Sequence, residues 1–266
     1  MRKSMKKKLV LFACTSLMIG GLTAQEARPV RFAFAIQPSS SWLKPDGQIL
    51  EKEKSRLGFA YGVIVDITLA GNENYVFSTG IMVNSQGGTI LNKKFHDQTT
   101  TIPIGEGPET MLDPRFAEHA TENYKLQYID IPLTLKLRTN EIGYMTYYGQ
   151  FGLDLGINIK ANKITEYNFK DGNTLEIMDE DVLDEIRLFR GALQVGAGAE
   201  YNISGNTTLL VGLVWNNGLT NTFNRKYFDE DSSGNPALIE YRQRIREGGR
   251  MKVISNFLGL TVGVFF

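Results

Sequence analysis

Leu258-Gly-Leu-Thr-Val-Gly-Val-Phe-Phe266 closes the chain with a strict period of two. Leu258, Leu260, Val262, Val264 and Phe266 fall on one face, and Gly259, Thr261, Gly263 and Phe265 on the other. Such alternation reads as a β-strand. An apolar strand left at a sheet edge templates aggregation, whereas a closed barrel has no edge. The ending therefore predicts a barrel in which the last strand pairs with the first.

Working back from it, seven further segments repeat the pattern: Val30–Gln37, Leu57–Leu69, Tyr75–Asn84, Leu126–Arg138, Tyr144–Ala161, Leu188–Ile203 and Thr207–Thr220. Each sets a run such as Leu57, Phe59, Tyr61, Val63, Val65, Ile67 and Leu69 against a face of small and polar residues. The connections alternate as well. Ala70–Asn74, Thr139–Gly143 and Ser204–Asn206 are tight turns, while 38–56, 85–123, 162–187 and 221–250 are long. Short turns on one side and long loops on the other are the signature of a transmembrane barrel, with both termini on the side of the turns. Loops of this length are uncommon inside compact soluble domains. The rival fold is a soluble eight-stranded barrel of lipocalin type, with its apolar face inward. The polar faces here hold mostly Gly, Ala, Ser, Thr and Asn, whereas a soluble surface is rich in charge. The expected fold is all-β: an eight-stranded antiparallel up-and-down transmembrane barrel with long extracellular loops.

The N-terminus reads as an export signal. Arg2, Lys3 and Lys6-Lys7-Lys8 precede the apolar run Leu9–Leu22, and Thr23-Ala24-Gln25 offers cleavage after Ala24. The run is about 14 residues, short of the ~20 that span a bilayer as a helix. Residues 1–24 are thus expected to be a signal peptide and 25–266 the barrel. The single cysteine, Cys14, lies inside the signal, where Leu11-Phe-Ala-Cys14 only faintly resembles a lipidation site. Cleavage at Ala24 leaves a chain without disulfides, thiolate metal ligands or a cysteine nucleophile. Lys and Arg number 29, equal to Asp and Glu, so no global basic field points to nucleic acid.

Leu126-Gln-Tyr-Ile-Asp-Ile-Pro-Leu-Thr-Leu-Lys136, Tyr148-Gly-Gln-Phe-Gly-Leu-Asp-Leu-Gly156 and Gly196-Ala-Gly-Ala-Glu-Tyr201 resemble the PorT-type outer-membrane β-barrel ("porin family") proteins of Gram-negative bacteria. The segment Tyr128-Ile-Asp-Ile-Pro-Leu133 is the most specific mark. The resemblance covers most of the mature chain and implies an eight-stranded barrel in the outer membrane. It also implies, through one namesake, an accessory role in type IX secretion, with secretion-complex proteins as partners. It supplies no catalytic residues. The terminal strand likewise resembles those of outer-membrane barrels, whose assembly machinery reads a terminal aromatic; Phe266 is the expected assembly signal.

Asp66, Asp130, Lys136, Asp154, Lys160, Arg190 and Glu200 fall on the polar, inward faces of five strands. An eight-stranded interior is just wide enough to be filled by side chains, and buried charge must be paired. These seven are expected to form an internal salt-bridge network; a proton or ion path is the other reading. Inward glycines such as Gly152, Gly156, Gly196 and Gly198 leave room for the long side chains.

The loops hold the other candidates. Asp179-Glu-Asp181 with Asp184 and Glu185 reads as a solvated loop or a cation site, though without EF-hand spacing. Arg242, Arg244, Arg246 and Arg250 could neutralise that acidic cluster or meet lipopolysaccharide phosphates. His96 and His119, near Asp97 and Glu118, have only Ser85 as a loosely placed nucleophile, a weak basis for catalysis. Gly191-Ala-Leu-Gln-Val-Gly-Ala-Gly198 lacks the Lys-Ser/Thr pair of a nucleotide loop and lies in a strand. Tyr61, Tyr75, Tyr124, Tyr144, Tyr147, Tyr201 and Trp215 fit interfacial girdles. The reading is a non-enzymatic outer-membrane protein without cofactor. Its expected partners are outer-membrane lipid, lipopolysaccharide and the barrel-assembly machinery; an accessory secretion component is the alternative and an outer-leaflet enzyme the distant one.

Overall fold

The computed structural model describes residues 30–46, 50–92, 119–169, 172–205, 207–223 and 252–266. The expected signal peptide lies outside the described residues, as do His96, Asp97, Glu118 and the loop arginines Arg242, Arg244, Arg246 and Arg250. The strands are β1 (Val30–Asp46), β2 (Leu50–Leu69), β3 (Asn72–Asn92), β4 (His119–Arg138), β5 (Met145–Asn168), β6 (Thr174–Asp181), β7 (Phe189–Ser204), β8 (Thr207–Gly218) and β9 (Lys252–Phe265). All pairings are antiparallel. Eight strands form the ring β1-β2-β3-β4-β5-β7-β8-β9, and β9 returns to β1 from Ala33↔Phe265 to Asp46↔Lys252. The Phe266 N–H donates to the Phe32 carbonyl at 3.0 Å, and its ring stacks on Phe34 with centroids 5.6 Å apart.

The alternation places its apolar face outside. Phe34, Ile81, Phe151, Leu213 and Leu258 are exposed, while Asp66, Lys136, Asp154 and Glu200 are buried. A lipocalin-type barrel would need the opposite arrangement, so that alternative is overturned. The outward band is what hydrocarbon demands, and closing the ring gives the sheet no open edge within it. Tyr61, Tyr75, Tyr144, Tyr147, Tyr201 and Trp215 are exposed along it. Ala70 and Gly71, both at positive φ (51° and 71°), close the β2–β3 turn in the hand that suits a two-residue hairpin.

Three expectations are corrected. The strands continue well beyond their apolar stretches: β1 and β2 take up most of 38–56, pairing with each other to Ser41↔Arg56 and beyond it with β9 and β3, and β3 and β4 take up the ends of 85–123. Above the lipid the outer face meets water, so Lys44, Asp46 and Glu51–Lys54 stand exposed there and the apolar alternation fades while the backbone ladder persists. The segment 162–187 holds a ninth strand, β6, which pairs with the upper end of β5 from Asn162↔Asp181 to Asn168↔Thr174. Tyr124 is no girdle residue. It is fully buried in a cluster with Leu43, Ile90, Leu126, Val182, Ile186, Phe223 and Val253, which fills the upper mouth.

Candidate functional site

The buried charges gather in two layers. In the lower one, near the turns, Glu200 of β7 accepts hydrogen bonds from Arg138 of β4 at 2.8 Å and Arg31 of β1 at 2.9 Å, and Lys136 lies 3.5 Å away. Lys136 donates to Asp66 of β2 at 2.7 Å, and the Ser78 hydroxyl donates to the same carboxylate at 2.6 Å. Phe265 and Tyr148 turn their rings toward the Lys136 ammonium at 5.2 and 4.9 Å. In the upper layer, Arg190 of β7 donates to Asp154 of β5 at 3.0 Å and also to Asn216 of β8. Asn216 donates to Asp154 at 2.8 Å, Asn84 donates to Asp130 at 2.7 Å, and Arg190 stands 3.8 Å from Asp130. The register explains the crowding. Gly156 lies opposite both Asp130 and Arg190, and a Cβ there would sit 2.5 Å from an Asp130 carboxylate oxygen. A side chain at 156 would push the Asp130 carboxylate out of the place it holds in that row.

Together the layers hold four cations (Arg31, Lys136, Arg138, Arg190) and four carboxylates (Asp66, Asp130, Asp154, Glu200). Matched charge is the condition for burying it, because an unpaired ion costs several kcal/mol or more. A cavity of about 50 Å³ lies between the layers, lined by Lys136 and Ser78, by Asn84, Asp130 and Asp154, and by Gln37, Gln150 and Gln194. It has room for only about four waters.

Six of the seven inward candidates, Asp66, Asp130, Lys136, Asp154, Arg190 and Glu200, line the lumen; Lys160 does not. The register of β5 against β4 shifts between Gln127↔Lys160 and Tyr128↔Asn158, so Ile159 is an extra residue. This bulge inverts the parity above it: Lys160 points out and is exposed, and Lys163 turns in. The sequence reading missed Arg31, although it alternates with Val30 and Phe32, and Arg138 was not grouped with the other charges. The amide partners Asn84 and Asn216 carry no sequence signal that distinguishes them from surface asparagines.

A third cluster sits in the mouth. Lys163 meets Glu180 at 3.3 Å and Glu185 at 3.8 Å, so the acidic stretch is met by a strand lysine. Glu122 accepts a hydrogen bond from the Tyr124 hydroxyl at 2.8 Å. Burial pushes Glu185 up to about 7, opposed by Lys163 and reinforced by Glu180 and Glu122. Burial likewise raises Glu122, against Lys163 and Tyr124. Burial works against the Lys163 ammonium, but Glu122, Glu185 and Glu180 together hold its pKa above the ordinary value. A carboxylate with a raised folded-state pKa favours the fold when protonated, so this contribution is lost as pH rises from the ordinary value through about 7. The protection factor of the Ile186 amide is therefore expected to fall between pH 5 and pH 8, and Glu185→Gln should flatten the change. Equal protection at both pH values would contradict it. Among the described residues no group of three His, Cys, Asp or Glu is placed to hold a metal ion. His119 opens β4 eight residues from Gln127, the partner of Ser85, which separates His119 and Ser85 by roughly 26 Å along the strands.

The Gly87 N–H of β3 donates to the Ser41 hydroxyl of β1 at 3.0 Å, across the intervening β2. Residues 23–224 match the model of the family described as "Outer membrane protein beta-barrel domain". The chain belongs to this outer-membrane β-barrel family. The barrel accordingly resides in the bacterial outer membrane. Among solved structures it is similar to Neisserial surface protein A (11% identity, TM-score 0.41, covering 91% of this chain and 100% of that one). It is also similar to the attachment invasion locus protein Ail of Yersinia pestis (13%, 0.34, 90% and 100%) and to the outer-membrane protease OmpT of Escherichia coli (11%, 0.36, 91% and 98%). These likenesses are too distant to carry chemistry across. No curated protein matches the chain.

Phe266 completes the barrel's β9–β1 seam and exposes its ring outward beside Phe34. Deleting it removes the last seam hydrogen bond and the terminal aromatic together. The expected result is a large fall in folded barrel in the outer membrane, read by heat-modifiable gel mobility, with refolding in detergent less affected. Normal membrane levels of the truncated chain would count against an assembly role.

Proposed function

We propose that this barrel is a non-enzymatic surface protein that binds or docks partners through its extracellular part and conducts nothing. The observation that carries the reading is the filled lumen: ion-pair layers at two levels and an apolar cluster at the mouth. With the interior spent on stability, recognition falls to the wall built from the upper ends of β1–β5 and from β6. In this reading its standing surroundings are outer-membrane lipid and lipopolysaccharide, and the assembly machinery recognises Phe266 during insertion.

A second reading, an accessory of a PorT-like type IX secretion complex, draws on the Tyr128–Leu133 segment. Tyr128 and Asp130 are buried in the lumen, so that motif is bound up with the barrel's interior. Cross-linking in intact cells followed by pull-down from outer membranes separates the two. Surface or extracellular partners support docking. Periplasmic and secretion-complex partners support the accessory role and overturn the first reading.

A further inference from the structure

The bulge at Ile159 does more than invert parity. On the outer face of β4 and β5, Ile129 and Ile157 pair in the apolar band, and Gln127 pairs with Lys160 in the next row. Above that row Lys125 pairs with Asn162. Lys125 and Lys160 are therefore diagonal neighbours, with Cβ atoms roughly 5–8 Å apart. Both are exposed, and neither forms an ion pair among the described residues. The carboxylate that β6 brings alongside, Asp181, is opposite Asn162 and accepts the Leu183 N–H at 3.1 Å. Two like charges set diagonally on one face are brought closer to advantage by an anion lying between them. Without the extra residue, Lys160 would point into the lumen. On the extracellular side, the rows just above the hydrocarbon lie at the level of the outer-leaflet headgroups.

We propose that Lys125 and Lys160 form a site for a phosphate of an outer-leaflet lipopolysaccharide headgroup, with Ile129, Ile157 and Ile159 against its acyl chains. The site rests on the outer-membrane orientation and is independent of whether the loops dock partners. Cationic side chains at a membrane surface attract anionic headgroups, and the isoleucines below set the depth.

The test is native mass spectrometry of the full barrel in detergent, titrated with lipopolysaccharide whose lipid A carries its phosphates and with the same lipid after phosphatase treatment. The wild type should retain the phosphorylated lipid, and Lys125→Gln with Lys160→Gln should weaken it about thirtyfold. Removing the phosphates should have the same effect, and Lys52→Gln with Lys54→Gln should have little. Heat-modifiable mobility confirms that each variant is folded; if the double variant is not, Lys160→Gln alone is read, with a smaller loss expected. Equal retention by wild type and variant would overturn the proposal. So would retention indifferent to phosphate, or complete competition by millimolar inorganic phosphate, which would mark a free-anion site.

Discussion

Replacing Glu200 by Gln is expected to cost the folded barrel about 3–5 kcal/mol. Glu200 is 1% exposed and is shared by Arg31, Lys136 and Arg138. Gln keeps the volume and one acceptor but removes the charge. The three cations would then share Asp66, which already takes a hydrogen bond from Ser78 and from Lys136. Arg31 and Arg138 are partly solvated, with side chains 24% and 13% exposed, and can turn toward the periplasmic water. Lys136 is 1% exposed and has no such exit, so most of the loss should trace to it. Urea unfolding followed by tryptophan fluorescence gives the number. Glu141→Gln, on an exposed turn, should change the midpoint little. An unshifted midpoint for Glu200→Gln would mean that the lower layer does not hold the barrel together.

Gly198→Val should be comparably severe, for a steric reason. Gly198 of β7 and Gly212 of β8 are direct cross-strand partners, and together they make the slot that receives the Tyr148 hydroxyl. A Cβ on Gly198 would collide with the Val211 carbonyl oxygen, the Gly212 Cα at 2.6 Å and the Tyr148 hydroxyl at 2.6 Å. Two of these are backbone, which cannot swing aside. Overpacking of this kind costs about 3 kcal/mol or more. A Cβ on Gly212, by contrast, would meet chiefly the Tyr148 hydroxyl and ring. Tyr148→Phe should therefore partly rescue Gly212→Ala and leave Gly198→Val unrescued. Rescue of both, or of neither, would show that the slot is not built as described.

Much of this barrel was legible because lipid imposes a simple rule on each strand. Every second residue from Phe32 to Ile36, or from Leu57 to Leu69, must be apolar, and the other parity fills the lumen. Parity alone put Asp66, Asp130, Lys136, Asp154, Arg190 and Glu200 inside. It failed at Lys160 because one inserted residue, Ile159, flips every side chain beyond it. Hydropathy does not reveal an insertion when the inserted residue is itself apolar. The strand extensions were hidden for a related reason. Once the outer face meets water, Lys44 and Glu51–Lys54 satisfy the sheet as well as leucine would, so the sequence there resembles a loop. Tyr124 looked like a girdle residue because an aromatic near a strand end fits either the interface or a buried plug. Which strands face across the lumen depends on the stagger of the ring. The meeting of Glu200 on β7 with Arg31 on β1, three strands away round the ring, therefore had no trace along the chain.

The sealed lumen is tested most directly by current through single barrels refolded into planar bilayers. With both ion-pair layers and the apolar mouth intact, the wild type should insert, verified by heat-modifiable mobility of the same sample, and pass no steady ionic current. A stable current through the unmodified barrel would contradict it, and with it the view that this protein works from its outer surface.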